Sequence, residues 1–193
     1  MMLIDSSECG PACRFGDAHI YYMLAKLDKN RPISRSKLSE DIDVGEGSIR
    51  KMTLIMKEWG TIAVGQTGIV ISEKGCKLLQ SIPMRIVDVN RSEYVIGAYQ
   101  QGVLVRGVAQ KITNGAHQRD RGIIMGANGA SVFMISNSTL IMPKNWNMDV
   151  RDPKFAAELR SKGMEEGDVM IICGASDPSV AAISAIAISL DLL

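Results

Sequence analysis

The chain has 193 residues, which is enough for one large domain or two small ones. Hydrophobic residues make up 46%, enough for a core, although aromatic residues are only 5% and the 12 methionines must share in the packing. The net charge is +1, with 11 Lys/Arg against 10 Asp/Glu before Pro83 and 11 of each from there on, which excludes a generally basic surface.

The N-terminus and the cysteines indicate a cytoplasmic protein with reduced thiols. The opening residues MMLIDSSEC carry acids where a signal peptide needs a basic region. The longest apolar run, 180–193, is too short and interrupted for a membrane span. Cys9 and Cys13 form a C-x3-C pair, but no second Cys/His pair stands at ligand spacing. We therefore predict no metal and no cofactor, and interpret the pair as incidental or redox-responsive.

Residues 17–59 predict three short helices. Asp17 is a candidate N-cap for a helix to Leu27, and Ser34 for a helix over 35–42. After a turn at 43–45, a third helix runs over 46–59 to Gly60, which is expected in the C′ position. Its predicted buried stripe, at helical spacing, consists of Ile49, Met52, Met56 and Trp59.

A hairpin and a closing helix complete a first domain over 1–83. Strands are predicted at 61–64 and 69–72, joined by the glycine-bounded tip 65–68, and Ser72 then caps a last helix. The order helix, turn, helix, hairpin, helix is that of a winged helix-turn-helix. His19, beside core positions of the first helix, is interpreted as structural.

Three segments resemble the winged-helix regulators of the MarR and iron-dependent-repressor type. They are Val44-Gly45-Glu46-Gly47-Ser48-Ile49-Arg50, Trp59-Gly60, and Ile71-Ser72-Glu73-Lys74-Gly75-Cys76-Lys77-Leu78-Leu79, which is similar to the "L-T-x-K-G-x-x-L-L" end of the wing. The resemblance implies a recognition helix in the DNA major groove and a wing on the flanking backbone. Winged helices also serve as protein-docking modules, so the fold alone does not decide between the two uses.

The DNA-binding interpretation assigns a role to eight residues. Ser48, Arg50 and Lys51 would reach base edges or adjacent phosphates from the N-terminal half of the third helix. Phosphate contacts would come from Arg35, Lys37 and Lys57, and backbone or minor-groove contacts from Gln66 and Thr67. The alternative is an ordinary solvated helix face. Because Glu46 and Glu58 would repel phosphates, we expect weak binding per monomer and a homodimer on double-stranded DNA.

The second domain, 84–193, alternates strand and helix signals. Strands are predicted at 85–89, 94–99 and 169–173, the last one central, with a hairpin of 131–135 and 139–142, while 102–112 is ambiguous. Helices are predicted over 117–125, from Asp152-Pro153 to about Lys162, and from Asp177-Pro178 to the end. This order, close to βαββαβ plus a helix, indicates an α/β sandwich in an α+β protein. The last helix is apolar on most sides, which favours burial against a partner subunit.

Residues 115–130 read GAHQRDRGIIMGANGA, and with them the whole chain resembles archaeal proteins of unassigned function that join a winged helix to an α/β domain with a "G-x-x-Q-R-D-x-x-I-x-x-G-A-x-G-A" signature. The segment predicts a candidate site for a small-molecule effector at Arg119, Asp120, Gly126, Asn128 and Gly129, because small residues allow a backbone to approach a ligand. The alternative, a helix C-cap with a tight turn, is the more common use of such glycines.

No enzyme pattern can be read in the chain, and we predict no catalytic residues. The two histidines, 19 and 117, form no Ser/His/Asp or Cys/His arrangement, while Asp120, Asp168 and Asp177 could meet only through the fold. The sequence therefore predicts a dimeric DNA-binding transcriptional regulator with a ligand-sensing or assembly domain. The alternative is a winged helix used for protein docking beside a small α/β enzyme or ligand-binding domain.

Overall fold

The computed structural model describes residues 15–144 and 146–193. The chain divides into two compact units, Met1–Ile82 and Pro83–Leu193. The described residues form a mixed α+β structure with eight α-helices and two antiparallel sheets, one of two strands and one of six. None of the helices in this part of the chain has the length and apolar character that crossing a bilayer requires.

The elements of the first unit lie within one residue of their predicted bounds. They are α1 Asp17–Lys26, α2 Arg35–Ile42, α3 Glu46–Glu58, β1 Ile62–Gly65, β2 Gly68–Ile71 and α4 Glu73–Ser81. The helices bury one stripe each, and Leu38 and Ile42 of α2 meet a fully buried row on α3 that consists of Ile49, Met52 and Met56. Trp59, predicted in that row, is only half-buried and is the C-cap residue of α3.

The caps of α2 and α4 follow the prediction, but that of α1 does not. The hydroxyl of Ser34 accepts from the backbone N–H of Lys37 at 3.1 Å. At α1, Gly16 and not Asp17 is the capping residue, and its N–H donates to Nδ1 of His19 at 3.2 Å. Burial lowers the pKa of His19 from 6.5, which favours the neutral ring that can accept this bond. The structural interpretation of His19 is confirmed.

The base of the hairpin is joined to both flanking helices. Ser72 caps α4 by accepting from the N–H of Gly75 at 3.0 Å, and its hydroxyl donates to the carbonyl of Gly60 at 2.6 Å. A Cβ at Gly75 would lie 2.1 Å from the carbonyl oxygen of Thr61, so only glycine fits there. Ile33, just before α2, exchanges two backbone hydrogen bonds with Ile69 at 3.0 and 2.9 Å and so extends the hairpin by a third segment.

The second unit is built on a six-stranded antiparallel sheet in the order β3-β4-β8-β5-β6-β7. Its elements in chain order are β3 Met84–Val87, β4 Tyr99–Val105, α5 Ala116–Ile124, β5 Gly129–Ser136, β6 Thr139–Met142, β7 Trp146–Asn147, α6 Met148–Arg151, α7 Pro153–Ser161, β8 Val169–Ala175 and α8 Pro178–Asp191. The central strand β8 is buried along its whole length, as its apolar sequence predicts. Helices α5 and α8 pack against the sheet, while Phe155 and Leu159 of α7 share a core cluster with Met170 and Ile172 of β8.

One prediction for this unit is wrong, one ambiguous segment is resolved, and two short elements were not predicted. Residues 94–98 of the predicted strand 94–99 form a turn and bends, and only Tyr99 is strand, as the start of β4. Gly97 takes φ +151° directly against the backbone of Gly174. The ambiguous segment 102–112 is strand only to Val105 and then contains a 3₁₀ turn at Ala109–Lys111. The short elements β7 and α6 had no sequence signal, since two and four residues carry no periodicity.

The apolar helix α8 is buried within the single chain. Its residues from Ala181 to Leu190 are all buried, and Asp177 caps its start by accepting from the N–H of Ser179 at 2.8 Å. The composition of α8 is therefore explained without a second subunit. The argument for a dimer through this helix no longer holds.

Candidate functional site

One face of α3 is turned to solvent. Gly47, Arg50, Leu54 and Lys57 are exposed, opposite the buried row of Ile49, Met52 and Met56, and we call these four residues the α3 face. Leu54 lies in the middle of this face with 61% of its surface exposed. Because α3 is about 20 Å long, the face is large enough to contact a macromolecule along several residues.

The cations of the first unit differ in how free they are. Arg35, Arg50 and Lys57 are exposed, and none of them makes an ion pair with another residue of the described chain. Lys37 lies 3.0 Å from a carboxylate oxygen of Asp41 and 3.3 Å from one of Glu40. The hydrogen bond to Asp41 raises the pKa of Lys37 most. Lys37 is thus engaged within its own helix.

The remaining predicted DNA contacts lie at the edges of the α3 face. Lys51 is half-buried and has an interaction of its own within the chain, and Ser48 is half-buried in the first turn of α3. Gln66 and Thr67 are exposed at the hairpin tip, and the segment 61–72 holds no charged residue. Residues 35–58 carry five Lys/Arg and five Asp/Glu, so this surface is neutral in sum. Its positive charge is local to α3, which holds three cations and two acids.

Gly47 stands in the first turn of α3 without any packing requirement. A Cβ at this position would meet nothing within 4 Å. Glycine in a helix costs about 1 kcal/mol relative to alanine, and the first four N–H groups of a helix lack partners within it. The glycine therefore leaves an uncovered backbone at the N-terminal end of the α3 face, open to close approach by another molecule.

The second unit contains a cavity of about 320 Å³ beside the start of α5, which we call the α5 cavity. Gly115, with φ +73°, turns the chain into α5, and the side-chain oxygen of Asn114 accepts from the N–H of Ala116 at 3.0 Å. Arg119, in the first turn, lines the cavity and lies 3.0 Å from Asp120 outside it. The lining residues are Asn114, Gly115, Ala116, Arg119, Ala130, Ser131, Val132, Met142, Pro143, Lys144 and Trp146.

Arg119 is the one residue of the predicted effector site that lines this cavity. Gly126, with φ +99°, ends α5 at the opposite end of the helix from Arg119. The N–H of Asn128 donates to the carbonyl of Gly174 at 2.8 Å, and a Cβ at Gly129 would lie 3.4 Å from Ile96. These three residues thus form the helix end and the close packing that the alternative interpretation expects.

Sequence reasoning missed Lys144 and Trp146. They come from the turn after β6 and from β7, a two-residue strand without a sequence signal. Lys144 takes φ +79°, which is uncommon for a residue with a side chain. The guanidinium carbon of Arg151 lies 4.3 Å from the centre of the Trp146 ring.

The three acids considered together in the sequence serve separate structural roles. Asp120 pairs with Arg119, and Asp177 caps α8. Asp168 is 3% exposed and accepts from Nη1 of Arg106 at 2.5 Å. Within residues 15–144 and 146–193 no group of three His, Cys, Asp or Glu is arranged to hold a metal ion. Cys9 and Cys13 lie outside the described residues.

Taken together, these features define a two-unit α+β protein, with an exposed helix face in the first unit and a polar-rimmed cavity in the second. Residues 96–192 match the family described as "Domain of unknown function (DUF4443)", and the chain belongs to that family. The match covers most of the second unit and includes the α5 cavity.

The fold is also similar to that of a solved archaeal structure, the hypothetical protein PH0730 from Pyrococcus horikoshii OT3. The TM-score is 0.75 with 21% sequence identity, and the similarity covers 93% of each chain. No curated protein matches the chain significantly. Neither the family description nor the name of the Pyrococcus protein states an activity, a ligand or a partner.

Proposed function

We propose that the protein is a cytoplasmic DNA-binding transcriptional regulator, with a winged helix in its first unit and a ligand-sensing or assembly domain in its second. The observation that carries the proposal is the α3 face, which is exposed along its length and holds free cations next to an uncovered backbone. No catalytic role is part of the proposal.

The element order of the first unit supports a winged helix. Helix α3 follows α2 after a three-residue turn and leads directly into the hairpin β1–β2, which α4 closes. The pairing of Ile33 with Ile69 fixes the hairpin beside the start of α2. In such an arrangement α3 is the recognition helix and the hairpin is the wing.

The free cations suggest how the roles divide. Arg50, in the N-terminal half of α3, is placed for base edges, and Arg35 and Lys57 for phosphates. Gln66 and Thr67 at the wing tip would contact the sugar–phosphate backbone or the minor groove. Lys37 would contribute less than the sequence suggests, because Glu40 and Asp41 already bind it.

The neutral charge balance of α2 and α3 favours a homodimer on DNA. Three free cations on this surface give only a weak electrostatic contribution to binding, so one copy would hold DNA poorly. Two copies on a palindromic site would place their α3 helices about 34 Å apart, in successive major grooves. Since α8 is already buried, the dimer contact would lie elsewhere.

Leu54 favours a second candidate function, that of a protein-docking module. An exposed leucine in the centre of a helix face is a typical anchor for an apolar groove of another protein. In a DNA reader the same side chain would contact a thymine methyl group. The two functions differ in what the neighbouring cations do, which makes them separable by experiment.

The test measures binding of the full chain to labelled 30-base-pair duplexes selected from a random pool, by fluorescence anisotropy in 50 to 200 mM salt. We expect Arg50→Ala to weaken binding and to reduce the salt slope by about one unit, because one phosphate or base contact with its counterion is lost. Lys77→Ala on α4 is the matched control, since Lys77 is an exposed cation away from the α3 face.

Selection that enriches no duplex, or equal effects of Arg50→Ala and Lys77→Ala, would contradict the DNA-binding proposal. If Leu54→Ala abolished capture of a protein partner while Arg50→Ala left it intact, the docking function would replace it. The spacing of the enriched half-sites tests the dimer, because two α3 helices require centres about 10 base pairs apart.

A further inference from the structure

We infer that the α5 cavity binds a small organic anion, a carboxylate or phosphate joined to an apolar or aromatic body. This inference deepens the ligand-sensing part of the proposed function by naming the site and the ligand class. It rests on the shape of the cavity, the charges at its rim and the side chains of its wall.

Three parts of the second unit line the cavity, which is open to solvent on its remaining side. The start of α5 forms one side and residues 130–132 of β5 form the second. The third side consists of Met142, Pro143, Lys144 and Trp146. The volume of about 320 Å³ is at the lower end of the range of small-molecule sites, about 300–1,000 Å³. The site is therefore suited to a metabolite and too small for a peptide.

The rim of the cavity is positively charged. Arg119 and Lys144 both line it, and no acidic residue does. Asp120 pairs with Arg119 outside the cavity and so offsets part of its positive charge. The ammonium group of Lys144 has no ion-pair partner in the described chain. The N-terminus of α5 adds partial positive charge at the cavity. Asn114 accepts a hydrogen bond from the N–H of Ala116, the first residue of α5, and from no later N–H group of the helix. These groups fit one anionic substituent.

The wall of the cavity is apolar and aromatic. Val132, Met142 and Pro143 line it together with Trp146, whose surface is 43% exposed. The hydroxyl of Ser131 is already engaged, because it donates to the carbonyl of Tyr94 at 2.6 Å. An apolar or planar body would therefore cover Trp146 and Met142 while its anion meets the rim. Exposed tryptophan beside a cavity is a typical binding surface for such a body.

The experiment uses two dyes of similar shape with the full chain and no DNA. The anionic probe is 8-anilinonaphthalene-1-sulfonate, and the neutral one is N-phenyl-1-naphthylamine. Trp59→Phe leaves Trp146 as the remaining tryptophan of the chain, so energy transfer from it reports a dye in the cavity. We expect saturable 1:1 binding of the anionic dye with quenching of Trp146 fluorescence. Competition by inorganic phosphate would indicate a phosphate ligand, and competition by benzoate would indicate a carboxylate.

Two variants test the rim. Arg119→Gln and Lys144→Asn should each weaken the anionic dye about fivefold or more and leave the neutral dye unchanged, since each removes one charge contact. Asparagine tolerates the positive φ of residue 144, so Lys144→Asn should fold even if Arg119→Gln does not. Lys154→Gln, an exposed cation on α7 outside the cavity, is the matched control.

Three results would overturn the inference. In the first, the anionic dye binds both rim variants as tightly as it binds the parent. In the second, Lys154→Gln weakens the anionic dye as much as the rim variants do. In the third, the dye loses its signal in Ile124→Ser, which would show that the dye binds the exposed isoleucines of α5 and not the cavity. The dye experiment contains no DNA, so its failure would not contradict the DNA-binding proposal. Conversely, a failure to bind DNA would not contradict a positive dye result.

Discussion

At the scale of single residues, two glycines of the first unit have opposite meanings. Gly75 is required by the fold, since a Cβ there would meet the carbonyl oxygen of Thr61 at 2.1 Å. Gly47 is not required by the fold, since a Cβ there would meet nothing. A glycine that packing does not need is a candidate for contact with another molecule, whereas one that packing needs reports only on stability.

We predict that Gly75→Ala and Gly47→Ala change stability in opposite directions. Gly75→Ala should lower the free energy of unfolding by about 3 kcal/mol through overpacking, while Gly47→Ala should raise it by up to about 1 kcal/mol. Urea unfolding followed by Trp59 fluorescence in a Trp146→Phe background measures both, because each unit holds one tryptophan. If the protein binds DNA as proposed, Gly47→Ala should weaken DNA binding although it stabilises the fold. Unchanged or tighter DNA binding would show that Gly47 is not part of the interface.

We predict that the first unit loses stability as the pH falls from 7.5 to 5.5. His19 has its pKa lowered by burial from 6.5 and accepts the N–H of Gly16 in its neutral form. A group with a lowered folded pKa stabilises above its unfolded pKa, and this contribution is lost as the pH falls towards the folded pKa. Urea midpoints reported by Trp59 measure the loss. In His19→Gln the urea midpoint should depend less on pH. An unchanged pH dependence would show that other groups cause the loss of stability.

At the scale of elements, short-range chemistry made the helices predictable. Ser34 and Ser72 cap the helices that the sequence assigns to them, and Asp152 caps α7 by accepting from the N–H of Phe155 at 3.0 Å. A cap is decided by three or four neighbouring residues, so one sequence contains the information. The turn at residues 94–98 could not be predicted in this way, because Gly97 is placed by a contact with Gly174 on a distant strand.

A single buried carboxylate joins the segment after β4 to the segment before β8. Asp168 accepts from Arg106 after β4, from the N–H of Gly107 at 3.0 Å, and from the N–H of Glu165 at 2.8 Å ahead of β8. We predict that Asp168→Asn destabilises the second unit by about 3 kcal/mol, because an amide cannot accept all three bonds and leaves Arg106 without its counter-charge. Unfolding followed by Trp146 fluorescence tests this. The exposed Asp88→Asn serves as the control, and equal small effects would contradict the prediction.

At the scale of the whole molecule, strand content was easier to predict than strand order. The apolar run of β8 indicated a central strand, and β8 lies in the centre. Its neighbours β4 and β5 come from far away in the chain, and no pattern in one sequence states such a pairing. The same holds for the α5 cavity: Arg119 was predicted to line a site, whereas Lys144 and Trp146 reach the cavity from the turn after β6 and from the edge strand β7.

The central position of β8 also has a consequence for folding kinetics. Before β8 is synthesised, the β3–β4 pair and the β5–β6–β7 meander share no edge, and β4 and β5 each present an unpaired one. At about 5–20 residues/s, a nascent chain on the ribosome would hold these edges open for about 2 to 7 s while residues 137–169 are added. Contacts between residues far apart in sequence also form more slowly.

We therefore predict that the second unit refolds at least about tenfold more slowly than the first, whose hairpin and helices pair locally. Stopped-flow refolding with Trp59→Phe and Trp146→Phe variants reports each unit separately. Equal rates would show that the β4–β8–β5 pairing does not limit folding. A slow rate would mean that the edges of β4 and β5 stay unpaired for longer during folding and are exposed to pairing with other chains for that time.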